Sequence, residues 1–230
     1  RRAGEAIKQA QARLSTATAA ERAYIEASAK RYLGPPRASR AALDKAYADA
    51  MRSVWKTFSN DADAGVLFAE AMMDLRPWDF WTSEGTPKPG TQEIVSTLEA
   101  VIEKQPDHPG ACHYYIHAVE ASREPQRALA CADRLPGLVP GAGHLVHMPA
   151  HIYARVGMYH QSSERNAEAA HADERYLAGA HLTGDYADGY YSHNLHFLWS
   201  SLMMEGRSAE ALKAATSLVS TITDEEAKTN

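Results

Sequence analysis

The chain has 230 residues, with 24 Lys and Arg against 29 Asp and Glu, 11 His and only two Cys. No Lys/Arg cluster is interleaved with aromatics, which argues against a nucleic-acid partner. No apolar run approaches the ~20 residues that a membrane-spanning helix needs.

The chain opens mid-pattern at Arg1-Arg2-Ala3-Gly4, as a segment processed from a longer protein would. Few β-branched runs and no strand-length alternation give the expectation of an all-α fold. The first helix is expected over residues 2–33, stopping before Gly34-Pro35-Pro36. The second, 39–58, carries Leu43, Tyr47, Met51, Val54 and Trp55 at helical spacing. Asn60-Asp61 reads as the N-cap of a third, 62–75. A loop over 76–90 follows, with three prolines, two glycines and two tryptophans. Its Trp78, Phe80 and Trp81 imply either a satellite packing cluster or a lid over a site, so Trp78 and Trp81 are candidate substrate contacts. Further helices are expected at 91–104, 109–122, 125–135, 145–156, 160–177, 186–205 and 208–221, with Pro109 and Pro125 in first turns. The division expected is N-terminal helices over 1–60, repeats over 61–222 and a tail over 223–230. Cys112 and Cys131 lack the close spacing of a zinc or redox motif. A disulfide between them is conceivable, but two small buried residues are the plainer expectation.

His144, His147 and His151 are spaced i, i+3, i+7, on one helical face. A shift of 34 residues takes His147 and His151 back to His113 and His117, and Pro140 to Pro106. A forward shift of 49, from Gly157 to Gly206, takes His144 and His147 to His193 and His196. Seven of the 11 histidines thus fall on three copies of one face, which points to a site rather than to packing. The other four, His108, His160, His171 and His181, are expected at the surface or in turns.

A 34-residue helix-pair period is the tetratricopeptide pattern. It is carried here by Ala154-Arg-Val-Gly-Met-Tyr159 with Asn166, Ala169 and Ala170, and by Met203-Met-Glu-Gly-Arg207 with Ala209, Ala211 and Leu212. With their histidine segments, residues 61–219 resemble a group of bacterial tetratricopeptide-repeat proteins with histidine-rich repeat helices. The resemblance implies a tetratricopeptide-like α-α superhelix, a solenoid of helical hairpins, and no activity. Cytoplasm and periplasm both remain open. It also implies that the first helix of each pair lines the concave face. The inward ladder then reads Gly110, His113, His117, Glu120; His144, His147, His151, Ala154; and His193, His196, Ser200, Met203. Glu70 and Asp74 align more loosely with it.

Imidazoles converging from three helices favour a transition metal, copper or zinc first and iron third, over magnesium or calcium. The HExxH zinc-protease arrangement is absent. Glu120 is therefore the candidate base, with Glu70 or Asp74 next. Glu120, Asn194, Asn166, Tyr115 and Tyr153 are candidates to hold the second ring nitrogens. Pro149 either starts the helix late or kinks it, which loosens His144. The expectation is a metal-dependent enzyme with a mono- or dinuclear centre in the groove, leaning to oxygen activation on a small-molecule or peptide substrate. The alternatives are zinc hydrolysis with Glu120 as base, or a metal-free groove holding a protein partner's peptide.

Overall fold

The structure, a computed structural model, describes residues 2–33, 38–180 and 186–221. His181, the Gly34-Pro35-Pro36 helix stop and the expected tail 223–230 lie outside the described residues. All described segments are helical or connecting, with one isolated bridge between Trp81 and Pro87. No described helix is long and apolar enough to cross a membrane. The chain divides into two compact units, residues 1–114 and 115–230.

The first unit holds α1 (Arg2–Gln11), α2 (Ala19–Tyr32), α3 (Arg40–Thr57), α4 (Ala62–Met73), α5 (Thr91–Lys104) and the start of α6 (Pro109–Val119). Each helix from α1 to α5 packs on the next. The single helix expected over 2–33 is in fact two. The Thr18 hydroxyl accepts from the Glu21 N–H while the Glu21 carboxylate accepts from the Thr18 N–H at 2.7 Å, and this capping box starts α2 afresh. Ser39 and Asp61 cap α3 and α4. Gly65 lets α4 approach α5, since a Cβ there would sit 2.6 Å from Val101 and 3.2 Å from Trp55. Val66, Val101 and Ala111 form the apolar cluster beside it.

The 76–90 loop closes on its own backbone: the Thr82 N–H donates to Thr86 and the Lys88 N–H to Phe80, both at 2.9 Å. Phe80, rather than either tryptophan, is its buried anchor, and the Thr91 hydroxyl donates to the Phe80 carbonyl at 2.6 Å. Trp78 stays 71% exposed.

Glu70 and Asp74, expected near the histidines, are engaged within this unit. They converge with Asp44 on Arg31, at 3.8 Å for Glu70 and 3.0 Å for Asp44, with Asp74 also hydrogen-bonded. Arg40 also reaches Asp44 at 3.0 Å, so three carboxylates meet two guanidinium groups and one carboxylate is under-compensated. Burial, and then the Asp74 charge, push the Glu70 carboxyl from 4.5 up to about 7. A folded value above the unfolded one means that the folded state holds the extra proton. Stability therefore falls as pH rises from about 4.5 to about 7. Glu70→Gln is expected to flatten that slope in urea midpoints measured across the same window.

The second unit continues α6, then passes through a 3₁₀ turn (Pro125–Ala128) into α7 (Leu129–Leu138), α8 (Gly143–His147), α9 (Pro149–Arg155) and α10 (Tyr159–Ala180). A π-helical turn (Tyr186–Tyr191) leads into α11 (Ser192–Met204) and α12 (Ser208–Thr221). Helix α10 is its central element, packing on α8, α9 and α11, while α12 covers α11. Leu135, Met148 and Ile152 are fully buried. Gly157 and Gly206 take left-handed turns, at φ 79° and 74°, between the paired helices.

The helix expected over 145–156 breaks at Met148–Pro149, where proline has no N–H to continue the ladder. The Met148 N–H reaches the His144 carbonyl at 3.1 Å, and the His151 N–H reaches the Met148 carbonyl at 3.2 Å. His144 is thereby held inside α8, at a kink, and not left in a loop. Cys112 and Cys131 are buried as expected, but neither is a free thiol: both are disulfide-bonded. A spacing this wide carries no pairing signal in the sequence.

Candidate metal centre

Five imidazoles of the second unit converge on one region: His117 from α6, His144 and His147 from α8, His151 from α9 and His193 from α11. The break at Pro149 places His147 at the end of one helix and His151 in the first turn of the next. Their Nε2 atoms face each other at 2.9 Å.

The hydrogen bonds on the far side of each ring determine what those two nitrogens carry. Asn166 gives its NH₂ to the Ser162 carbonyl at 2.7 Å, so its oxygen turns to His147 Nδ1 at 2.6 Å. A carbonyl accepts only, and His147 must therefore donate from Nδ1. His151 Nδ1 lies 2.6 Å from one oxygen of Glu120, and His117 Nδ1 lies 3.0 Å from the other. Burial would raise the Glu120 pKa, but hydrogen bonds from His117 and His151 outweigh it and hold the group down to about 2. As an ionised carboxylate it only accepts, so both rings donate to it from Nδ1. His147 and His151 thus present two lone pairs to each other at 2.9 Å, a repulsive arrangement unless a cation or proton lies between them.

His193 adds a third donor. One nitrogen each from His147, His151 and His193 lies within 4.8 Å of the others. Their ring centres are 4.8 Å apart for His147–His151, 4.8 Å for His147–His193 and 5.6 Å for His151–His193. An imidazole bound at about 2.0–2.1 Å has its ring centre roughly 3.2 Å from the ion. Ligand angles from about 90° to about 120° then separate ring centres by about 4.5–5.5 Å. The three rings meet that requirement.

Burial pushes His147 well below its usual pKa and brings His144 and His193 to about 4, and it lowers His117 against the pull of Glu120. These rings are neutral donors, which is what a metal requires. Phe197 lies edge-on or tilted against His147, His151 and His193, with centroids at 4.9, 4.7 and 4.9 Å, an apolar cover that limits water.

Several expected residues take other roles. His196 is exposed and its ring stacks on Trp199 at 5.6 Å; Phe197, one residue on, holds the inward position. His113 lies in the first unit, on α6 one turn before His117, with its ring 4.8 Å from Tyr114. Tyr153 donates to Asp133 at 2.6 Å. Asn194 gives its NH₂ to Asp173 at 2.6 Å, while Asn166, not Asn194, orients His147. Glu120, expected as a base, has both oxygens occupied by ring N–H donors and is a weak one; its position is that of an orienting carboxylate. Among the other histidines, His108 caps α6, accepting from the Ala111 N–H at 3.2 Å and donating to Asp63 at 3.1 Å. His160 and His171 are exposed beside glutamates.

Asp173 braces the site from behind. Buried on α10, it accepts from Asn194 on α11 and from Tyr186 in the π turn, at 2.6 and 2.7 Å. It also fills the space where a side chain at Gly143 would lie, 1.9 Å from the ideal Cβ. Burial raises the Asp173 pKa against these two hydrogen bonds. Gly143→Ala must displace that carboxylate and with it α8. A loss of about 3 kcal/mol or more in urea unfolding is expected, at the upper end of overpacking costs. Asn166→Ala leaves the buried His147 N–H without its acceptor. It should cost about 1–3 kcal/mol in the same assay and weaken metal uptake about 10–100-fold in titrations.

No protein-family model and no curated protein matches the chain. Among solved structures, one described as "MamA RS-1 ArsTM double mutant" is similar at a TM-score of 0.58 and 12% identity, covering 79% of this chain and 86% of that one. That protein is built of tetratricopeptide repeats. The likeness therefore shows the fold, an all-α tetratricopeptide-like series of helix pairs.

Proposed function

We propose that this chain is a transition-metal protein whose centre is held by His147, His151 and His193, and that the centre performs chemistry rather than bracing the fold. The facing Nε2 lone pairs of His147 and His151, 2.9 Å apart with both Nδ1 atoms committed elsewhere, carry the reading. A shared proton would satisfy two rings, but it gives no reason for a third imidazole at the same spacing. Two ligands about 2.0–2.1 Å from one ion at a right angle lie about 2.9 Å apart.

Three protein ligands leave a coordination position open, the mark of a catalytic rather than a structural site. The donors are all imidazole, which suits copper, zinc or iron and not magnesium or calcium. A bound copper or iron would supply one-electron chemistry; a bound zinc would supply Lewis acidity. With Glu120 occupied as an orienting group, the hydrolytic reading lacks its base, and the redox reading is favoured. In this scheme the residues of the chain fix the ligand tautomers through Asn166 and Glu120, and exclude water through Phe197.

The test is elemental analysis of protein purified without a metal-affinity tag, then stripped with a chelator and dialysed against Cu or Zn. At least one equivalent is expected. His151→Ala should remove it while preserving the helical circular-dichroism signal, because His151 sits at the edge of the core and not inside it. Less than about a tenth of an equivalent before and after dialysis would leave a hydrogen-bonded histidine cluster on a tetratricopeptide-like scaffold, with a peptide partner as the remaining reading.

A further inference from the structure

Both nitrogens of His147 and of His151 are committed. His147 uses Nδ1 on Asn166 and Nε2 towards His151, and His151 uses Nδ1 on Glu120 and Nε2 towards His147. Two further rings of the second unit lie against this centre, His117 at 5.3 Å from His151 and His144 at 6.2 Å from His147. His117 gives its Nδ1 to Glu120, so Nε2 is its basic nitrogen. His144 faces His117 with ring centres 6.2 Å apart and planes 23° from parallel. Ligand atoms of the two lie within 4.8 Å of each other. Their ring spacing exceeds the 4.8–5.6 Å of the first three, as two ligands at a wider angle about their own ion would require.

Resting on the reading above, we infer that the site is dinuclear, with a second transition-metal ion held between His117 and His144. Glu120 is the link between the two ions. Its two oxygens accept from the Nδ1–H of His117 and of His151, so one carboxylate orients a ligand of each centre. The second ion takes two imidazoles of this unit as donors. Tyr190 lies edge-on to His144 at 4.8 Å and is itself exposed, placing this ion on the side from which solvent approaches. The helix that carries His117 also bears His113 one turn earlier.

The experiment is metal stoichiometry by mass spectrometry on untagged full-length chain, stripped and dialysed against zinc alone. Two equivalents are expected. His144→Ala and, separately, His117→Gln should each bind one, with helical circular dichroism unchanged, and His193→Ala should keep the ion between His117 and His144. One equivalent in the parent chain, unchanged in His144→Ala, overturns the second ion and leaves the three-imidazole centre standing. A parent chain that binds a single equivalent and loses it in His144→Ala overturns it too, by making His144 a ligand of a single centre. A second equivalent that survives both substitutions lies elsewhere on the surface and overturns it as well. No uptake by any variant removes the metal reading itself. His117→Gln retains bulk at the buried position, so the arm remains readable if His144→Ala fails to fold.

Discussion

Two lone pairs held face to face in a buried place are the constraint to which the rest of this unit answers. His147 and His151 cannot relieve it by exchanging tautomers, because Asn166 and an ionised Glu120 each demand a proton on the opposite ring nitrogen. Nor can His147 readily take up a second proton, since burial holds it far below its usual pKa. A cation or a shared proton between the two nitrogens relieves the constraint, and the proposed metal centre rests on the first.

The means by which the chain holds this arrangement are local and inexpensive. A proline breaks one expected helix into α8 and α9, and consecutive rings then come from two short segments instead of one rigid rod. A glycine at position 143 admits the Asp173 carboxylate to the back of α8, and the same carboxylate grips the π turn and α11. The ligand-bearing segments α8 and α11 are thereby referred to a single point on α10. Buried polar networks of this kind are costly when partly satisfied and specific when complete. A tetratricopeptide-like unit with no such site would have little reason to bury Asn166, Asp173 and Asn194 together.

Much of this was legible before any coordinates. The period of 34, the glycines at matched turns and the cap at Asn60-Asp61 led to helix pairs, because those signals depend on local backbone chemistry. The histidine ladder found the converging rings for the same reason. It failed at His196, where a ladder step of three placed inward a residue that four-residue spacing from His193 gives instead to Phe197. Glu70 and Asp74, aligned only loosely with it, answer to Arg31, a partner far from them in sequence. The role of Asn166 was on the page as one candidate among several, and nothing in the order of residues ranks a hydrogen-bond acceptor on one helix for a ring on another. The capping box at Thr18 and Glu21 could have been read from Thr-x-x-Glu and was overlooked.

The Glu120 carboxylate, described as a holder of rings, also sets an electrical preference. It is a formal negative charge set between the two imidazoles it touches, in a place largely shielded from solvent. A singly charged cation would be balanced there, whereas a doubly charged one would keep an excess that low-dielectric surroundings penalise. For a copper ion held at the three-imidazole centre alone, that asymmetry would favour the cuprous form and raise the reduction potential above the value in water.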